Sequence, residues 1–158
     1  MRARRPDVLV STEDLLRALA AVCEAPRPAA AELFRQVVFA YLSGNGDAHA
    51  KNFSVLQGPS GRWAPAPAYD LPSTQPYGDT TVALSVDGRR DGVTGAKFLP
   101  LADRVGVRER AARAIVRAVA QSADAWGDQL QELPLDRGRV SKLKRFVANR
   151  QKLLHTGA

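Results

Sequence analysis

Gly44-Asn45-Gly46-Asp47-Ala48-His49-Ala50-Lys51-Asn52-Phe53-Ser54-Val55-Leu56 is the stretch on which the reading of this chain turns. Within six residues, Asp47 to Asn52, it gathers a carboxylate, an imidazole, an ammonium and a carboxamide, and an apolar segment lies on each side. A solvated surface turn has no need for that mixture. Asp47 and Asn52 are five positions apart, and a second acid, Asp70, follows in Pro67-Ala68-Tyr69-Asp70-Leu71. Two carboxylates and one amide at such places suit a pocket that holds a hard metal ion and orients a hydroxyl nucleophile.

Outward from this loop the chain reads as mainly α with a few short β-strands and hairpins. Ser11-Thr12-Glu13-Asp14 opens a first helix, a hydroxyl N-cap followed by acids where the helix dipole favours them. Leu15, Leu16, Leu19, Val22 and Cys23 then recur at helical spacing as one apolar face, and Pro26 and Pro28 stop the helix. A second helix from about Ala29 carries Leu33, Val37, Val38, Tyr41 and Leu42 on its inner side, and Gly44 stands where a C-terminal glycine belongs. The polar loop thus leaves the end of the second helix of an antiparallel pair.

After the loop, Phe53-Ser54-Val55-Leu56 alternates like a short strand. Gly58-Pro59-Ser60-Gly61 is a turn, and Trp63 starts the return toward Asp70, so a hairpin folds residues 47, 52 and 70 together. Thr81 to Val86 reads as a further strand, closed by the turn pair Asp87-Gly88. Thr94 is placed to cap a short helix bearing Phe98, Leu101, Ala102 and Val105, whose start is blurred by Pro100. An amphipathic helix with Ala112, Ile115, Val116, Val119 and Ala123 inward runs from Arg108 to Trp126. A last one, from Asp136 to Leu154, buries Val140, Leu143, Phe146, Val147 and Leu154.

At 158 residues the chain is the size of one domain, or of one lobe of a larger one, and can bury about 70% of its unfolded surface. Cys23 is its single cysteine, which excludes an internal disulfide and fits a reducing cytoplasm. The basic start, Met1 to Arg5, is interrupted by Asp7, Glu13 and Asp14 before any apolar run, so it is not read as a signal peptide. No stretch reaches the roughly 20 apolar residues of a membrane span. From Asp136 onward seven basic residues face one acid, so that segment carries +6 of the net +7. The plain reading is a solvated helix face; the alternative is attraction to DNA or to an acidic protein surface.

On residue chemistry, Asp47 is the candidate catalytic group, accepting a hydrogen bond from a substrate hydroxyl. Asn52 and Asp70 are the candidate metal ligands, suited to Mg²⁺. Protein kinases use this spacing of a catalytic Asp, a metal-binding Asn and a later metal-binding Asp. Lys51 either contacts phosphate or points into solvent, and His49 holds the loop by hydrogen bonding rather than moving a proton. Other readings stand beside this one. Asn45-Gly46 is a turn signal by itself, Asp47 suits a helix cap or turn acceptor, and His49 with Asn52 matches part of some metal nuclease sites.

The loop, followed by Trp63-Ala64-Pro65-Ala66-Pro67-Ala68-Tyr69-Asp70-Leu71-Pro72-Ser73-Thr74 and by Val82 to Gly88, resembles the C-terminal helical domain of the HipA-like serine/threonine kinases. These are toxin components of bacterial toxin–antitoxin modules. The resemblance covers about Phe39 to Gly88, with an agreeing helical pattern around it. It implies a protein-kinase-like C-terminal lobe, with Asp47 catalytic and Asn52 and Asp70 on Mg²⁺; Lys51 and His49 are the candidate residues for contact with ATP. It implies phosphorylation of a Ser or Thr hydroxyl on a protein such as an aminoacyl-tRNA synthetase. As partners it implies a helix-turn-helix antitoxin or a separate chain carrying the other lobe. The Asp-Phe-Gly of kinases reads Asp70-Leu71-Pro72 here. A more distant similarity is to aminoglycoside-type phosphotransferases, which usually carry histidine where this chain has Asn45. No glycine precedes Gly44, so a glycine-rich phosphate loop has no place there. The expectation is therefore a single catalytic lobe over residues 1–158, without its N-terminal nucleotide clamp. The alternative is a non-catalytic module that binds an antitoxin or DNA.

Overall fold

The structure, a computed structural model, describes residues 10–158. The basic start and its reading as something other than a signal peptide lie outside those residues. The first helix, α1 (Thr12–Val22), begins as expected: Ser11 is extended and its Oγ accepts from the Asp14 N–H at 3.1 Å. Leu16, Ala20 and Cys23 form its buried stripe, with Leu15 and Leu19 packed at the margin. Val22 belongs to the outer face instead, 54% exposed, because it stands about 100° around the helix from Cys23.

The two prolines do not stop α1. Cys23 ends it by turning extended, and Pro26 opens α2 (Pro26–Ser43) at the first helical position, where a missing N–H costs nothing. The inner face of α2 is as read, with Leu33, Val38, Tyr41 and Leu42 all but inaccessible. Gly44 caps it in the left-handed conformation at φ 71°, donating to the carbonyls of Ala40 and Tyr41.

The expected hairpin forms from β1 (Val55–Gln57) and β2 (Trp63–Pro65), antiparallel, with Val55 opposite Pro65 and Gln57 opposite Trp63. The Ala66 N–H donates to the Ser54 carbonyl at 2.9 Å, and the buried Gln36 amide donates to Ala66 O at 3.0 Å. That second bond fastens the hairpin to α2 and aims the following segment at the loop. The strand expected over 81–86 is absent. Val82 and Val86 do alternate into the core, at 3% and 1% exposure, yet among the described residues no strand lies alongside to complete a ladder. Only Val86 and Arg89 bridge, across an Asp87-Gly88 turn with both φ values positive (49° and 71°).

The remaining helices are α3 (Gly95–Arg104), α4 (Glu109–Ser122), the short α5 (Trp126–Gln129) and α6 (Arg137–His155). Thr94 occupies the N-cap of α3, but its hydroxyl makes no capping bond, and Pro100 lies within the helix rather than at its start. Asp136 caps α6, accepting from the Arg139 N–H at 2.9 Å. Helix α4 packs against α2, α3 and α6, and Leu16, Leu33, Phe34, Val38, Phe98, Leu101, Val116 and Leu154 meet in one core with no exposed surface. Among the described residues no helix is long and apolar enough to cross a membrane.

The basic C-terminal segment needs one correction. Arg150 is not on a solvated face but 1% exposed. Its guanidinium lies 4.2 Å from the ring centroids of both Tyr41 and Phe146. In turn Val140 and Phe146, read as buried, are only partly so.

Candidate functional site

The site grows from the C-terminus of α2. The αL glycine at 44 reverses the chain, and the Asn45 N–H returns to Ala40 O at 2.9 Å. Asn45 is thereby drawn inward to 1% exposure. Its side-chain amide then serves two segments at once. Oδ1 accepts from the Asp47 N–H at 3.0 Å, an Asx turn, and Nδ2 donates to the Asp70 carbonyl at 3.1 Å. A second fastening lies beside it. Thr74 Oγ1 accepts from the Gly46 N–H at 3.0 Å, and the Thr74 N–H donates to Gly44 O at 2.9 Å. Gly46 is needed there: a Cβ would fall 2.4 Å from both Thr74 Oγ1 and Asp79 Oδ2.

The residues singled out in the sequence fall into two groups. Asn52 and Asp70 are brought together, Asn52 Nδ2 donating to Asp70 Oδ2 at 2.8 Å. Asp47 is tied to Asp70 only through Asn45, and His49 stands beside Asp47, Nε2 to Oδ1 at 3.8 Å, with both side chains about half exposed. Lys51 is exposed and forms no ion pair among the described residues; its backbone carbonyl accepts from the Tyr69 hydroxyl at 2.9 Å. Asp70 adopts φ 51°, a left-handed conformation that a non-glycine residue keeps at a cost of about 1 kcal/mol or more. The bonds from Asn45 and Asn52 hold it there.

The donor set is one of hard oxygens. With Nδ2 of Asn52 committed to Asp70, its carbonyl oxygen accepts from no donor among the described residues, and neither does Asp70 Oδ1. Two oxygens on neighbouring side chains, one anionic, fit a partly hydrated Mg²⁺, which keeps several waters and takes one or two protein ligands. No group of three or more His, Cys, Asp or Glu is clustered for a metal among the described residues. A fully protein-enclosed cation site is therefore not what these residues build. The space beneath Asn45, Asn52 and Asp70 is only about 10 Å³, no more than a single water. The site is accordingly an open wall with Asp47, His49, Lys51 and Asp70 on its outer side.

The profile of the HipA-like C-terminal domain family matches residues 2–126. The chain belongs to this family. It is 40% identical over 78 residues to the serine/threonine-protein kinase toxin HipA of Shewanella oneidensis, covering 48% of this chain and 18% of that protein. The putative kinase Y4mE of Sinorhizobium fredii is 29% identical over 161 residues, covering 90% of this chain and 36% of that one. A solved complex of Shewanella oneidensis HipA with HipB and operator DNA superposes with a TM-score of 0.67 at 30% identity, over 93% of this chain and 34% of that chain. The HipA-like chain described here thus spans about a third or less of these relatives. Its fold is the helical, kinase-like one of HipA.

Sequence reasoning missed three residues that shape this HipA-like site. Asn45 looked like half of a turn pair, although an Asn at a turn start is also suited to accept from the backbone N–H two residues on, an Asx turn. Thr74 carried no signal beyond its place after Asp70-Leu71-Pro72. Arg150 was hidden among basic neighbours. Burial lowers the proton affinity of its guanidinium and raises that of the Tyr41 phenol, but an arginine remains charged under such conditions.

Proposed function

We propose that the chain is the catalytic helical lobe of a HipA-like serine/threonine protein kinase, acting in phosphoryl transfer from Mg²⁺-bound ATP to a hydroxyl of a protein. The observation that carries this reading is the pairing of Asn52 with Asp70 at 2.8 Å, joined to the Asp47 backbone through the Asn45 amide. Asn52 and Asp70 would hold Mg²⁺, which would supply positive charge to offset the negative charge of the transferring phosphoryl group. Asp47 would accept the hydrogen bond of the acceptor hydroxyl and aim its oxygen along the line of attack. Lys51, free in solvent, is available to a phosphate oxygen, and His49 restrains the Asp47 carboxylate from the side.

The open wall supports a shared site, in which the opposing, nucleotide-covering surface comes from outside the described residues. An antitoxin partner is proposed by relation to the Shewanella complex, which contains HipB. The test combines this chain with the N-terminal lobe of a HipA-like relative and measures Mg²⁺- and ATP-dependent incorporation of phosphate into Ser/Thr substrates. Activity is expected with the wild type and loss of it with Asp47→Ala and with Asp70→Asn. Full activity in both variants would show the roles to be misassigned.

One observation favours a second reading. Arg137, Arg139, Lys142, Arg145 and Lys152 remain exposed on α6. This basic surface suits a module that binds DNA or an acidic partner without catalysis. Salt-sensitive DNA affinity together with no binding of Mg²⁺–ATP would favour that module.

A further inference from the structure

The site described above is built on a loop, and a buried polar cluster centred on Arg150 of α6 lies behind it. Arg150 is the one basic side chain among the described residues that is fully enclosed. It donates through Nη1 to the Tyr41 carbonyl and through Nη2 to the Thr80 carbonyl, and Nη2 also lies 3.3 Å from Asp91 Oδ1. Tyr41 O is one of the last carbonyls of α2, the negative end of the helix dipole, where a cation is favoured. Arg150 therefore reaches the loop by two routes. Through Tyr41 it grips the turn in which Gly44 and Asn45 are fixed, and Asn45 in turn holds Asp47 and Asp70. Through Thr80 it grips the segment after Asp70, next to Asp79, whose carbonyl accepts from the same Thr74 hydroxyl that receives the Gly46 N–H. Phe146, one turn earlier on α6, seals the junction: a Cβ on Gly44 would lie 2.5 Å from its ring.

From this convergence we infer that Arg150 is a positioning residue for the Asp47, Asn52 and Asp70 site, and that α6 sets the shape of the loop in addition to closing the core. The inference rests on the proposed function for what the loop does, but not for how it is held. The HipA-like family profile ends at residue 126, so the brace comes from a part of the chain beyond that match. A side chain serving packing alone would need no forked donor; its stem and the two flanking rings would suffice. The fork matters because two carbonyls from different segments must be held at a fixed separation, which a planar guanidinium does and an ammonium does not.

The test uses the 158-residue chain with Arg150→Lys and Arg150→Met. Amide hydrogen exchange is followed by NMR at a temperature where each variant is folded by near-ultraviolet circular dichroism. In Arg150→Lys the Gly46 and Asp47 amides should exchange at least about tenfold faster relative to the Ile115 and Val116 amides of α4, which report global opening. In the same samples, the Mg²⁺ concentration that half-shifts the Asp70 and Gly46 resonances should rise by a similar factor. Equal acceleration of loop and α4 amides would mean that Arg150 only stabilises the core, and would overturn the inference. If Arg150→Met does not fold, Arg150→Lys, which keeps charge and stem, decides alone. Absence of any Mg²⁺ response in the wild type would count against the kinase reading, while the exchange ratio would still decide the positioning role.

Discussion

The inner and outer sides of the loop at 44–52 contrast sharply. On the inner side Asn45, Asn52, Tyr41 and Arg150 are buried; Asn45, Tyr41 and Arg150 bond to backbone of other segments, and Asn52 to the Asp70 carboxylate. On the outer side Asp47, His49, Lys51 and Asp70 are exposed, and most of their charged atoms face water. Buried polar groups must find partners inside the protein, because leaving one unpaired costs about 1–3 kcal/mol. The exposed groups are under no such obligation and stay available to a ligand. The amides and the guanidinium are thus committed to shape, while the carboxylates remain open to solvent.

This division makes a graded set of expectations, and each could break it. Arg150→Met should have the largest effect on stability. It removes both guanidinium donors, leaving the Tyr41 carbonyl only its bond from the Gly44 N–H and the Thr80 carbonyl without a donor among the described residues, and should cost about 3 kcal/mol in urea unfolding. Asn45→Ala removes the two bonds that join Asp47 to Asp70 and should cost about 2 kcal/mol. Gly44→Ala, strained at positive φ and pressed against Phe146, should cost a similar amount, about 2 kcal/mol. If any of these three proved neutral, the inner side would not be the structural one.

On the outer side Asp70→Asn should change stability by less than about 0.5 kcal/mol, since asparagine tolerates the left-handed conformation as readily. It should nevertheless abolish the Mg²⁺-induced NMR shifts. A large loss of stability in that variant would erase the contrast. The smallest effect concerns Asp79, whose carboxylate accepts from the Thr81 N–H and hydroxyl and so titrates below its ordinary range. Its contribution is present above the unfolded value of about 3.9 and is lost as the pH falls through the lower folded value. Urea unfolding between pH 5 and pH 2 should show a shallower decline for Asp79→Asn than for the wild type.

Much of the fold was legible where a local rule governs. Ser11 as N-cap, Gly44 as C-cap, the apolar stripes of α2 and α4 and the turn at Asp87-Gly88 depend on neighbours within one or two turns of chain. The errors share a cause. Pro26 and Pro28 break a helix or begin one according to where the preceding helix ends, which Cys23 decides. Residues 81–86 have the alternation of a strand, but a strand needs a partner, and among the described residues none lies alongside. Val22 shows how a stripe read over too wide an arc takes in the outer face.

By itself the sequence singled out Asp47, Asn52 and Asp70 by their types and spacing, and the structure pairs two of them, Asn52 and Asp70. What only the tertiary structure decided is which side chains hold it. Asn45 meets Asp70 across 25 positions and Arg150 meets Tyr41 across 109. No periodicity or local propensity encodes a bond between segments so far apart; it exists only once the helices have packed.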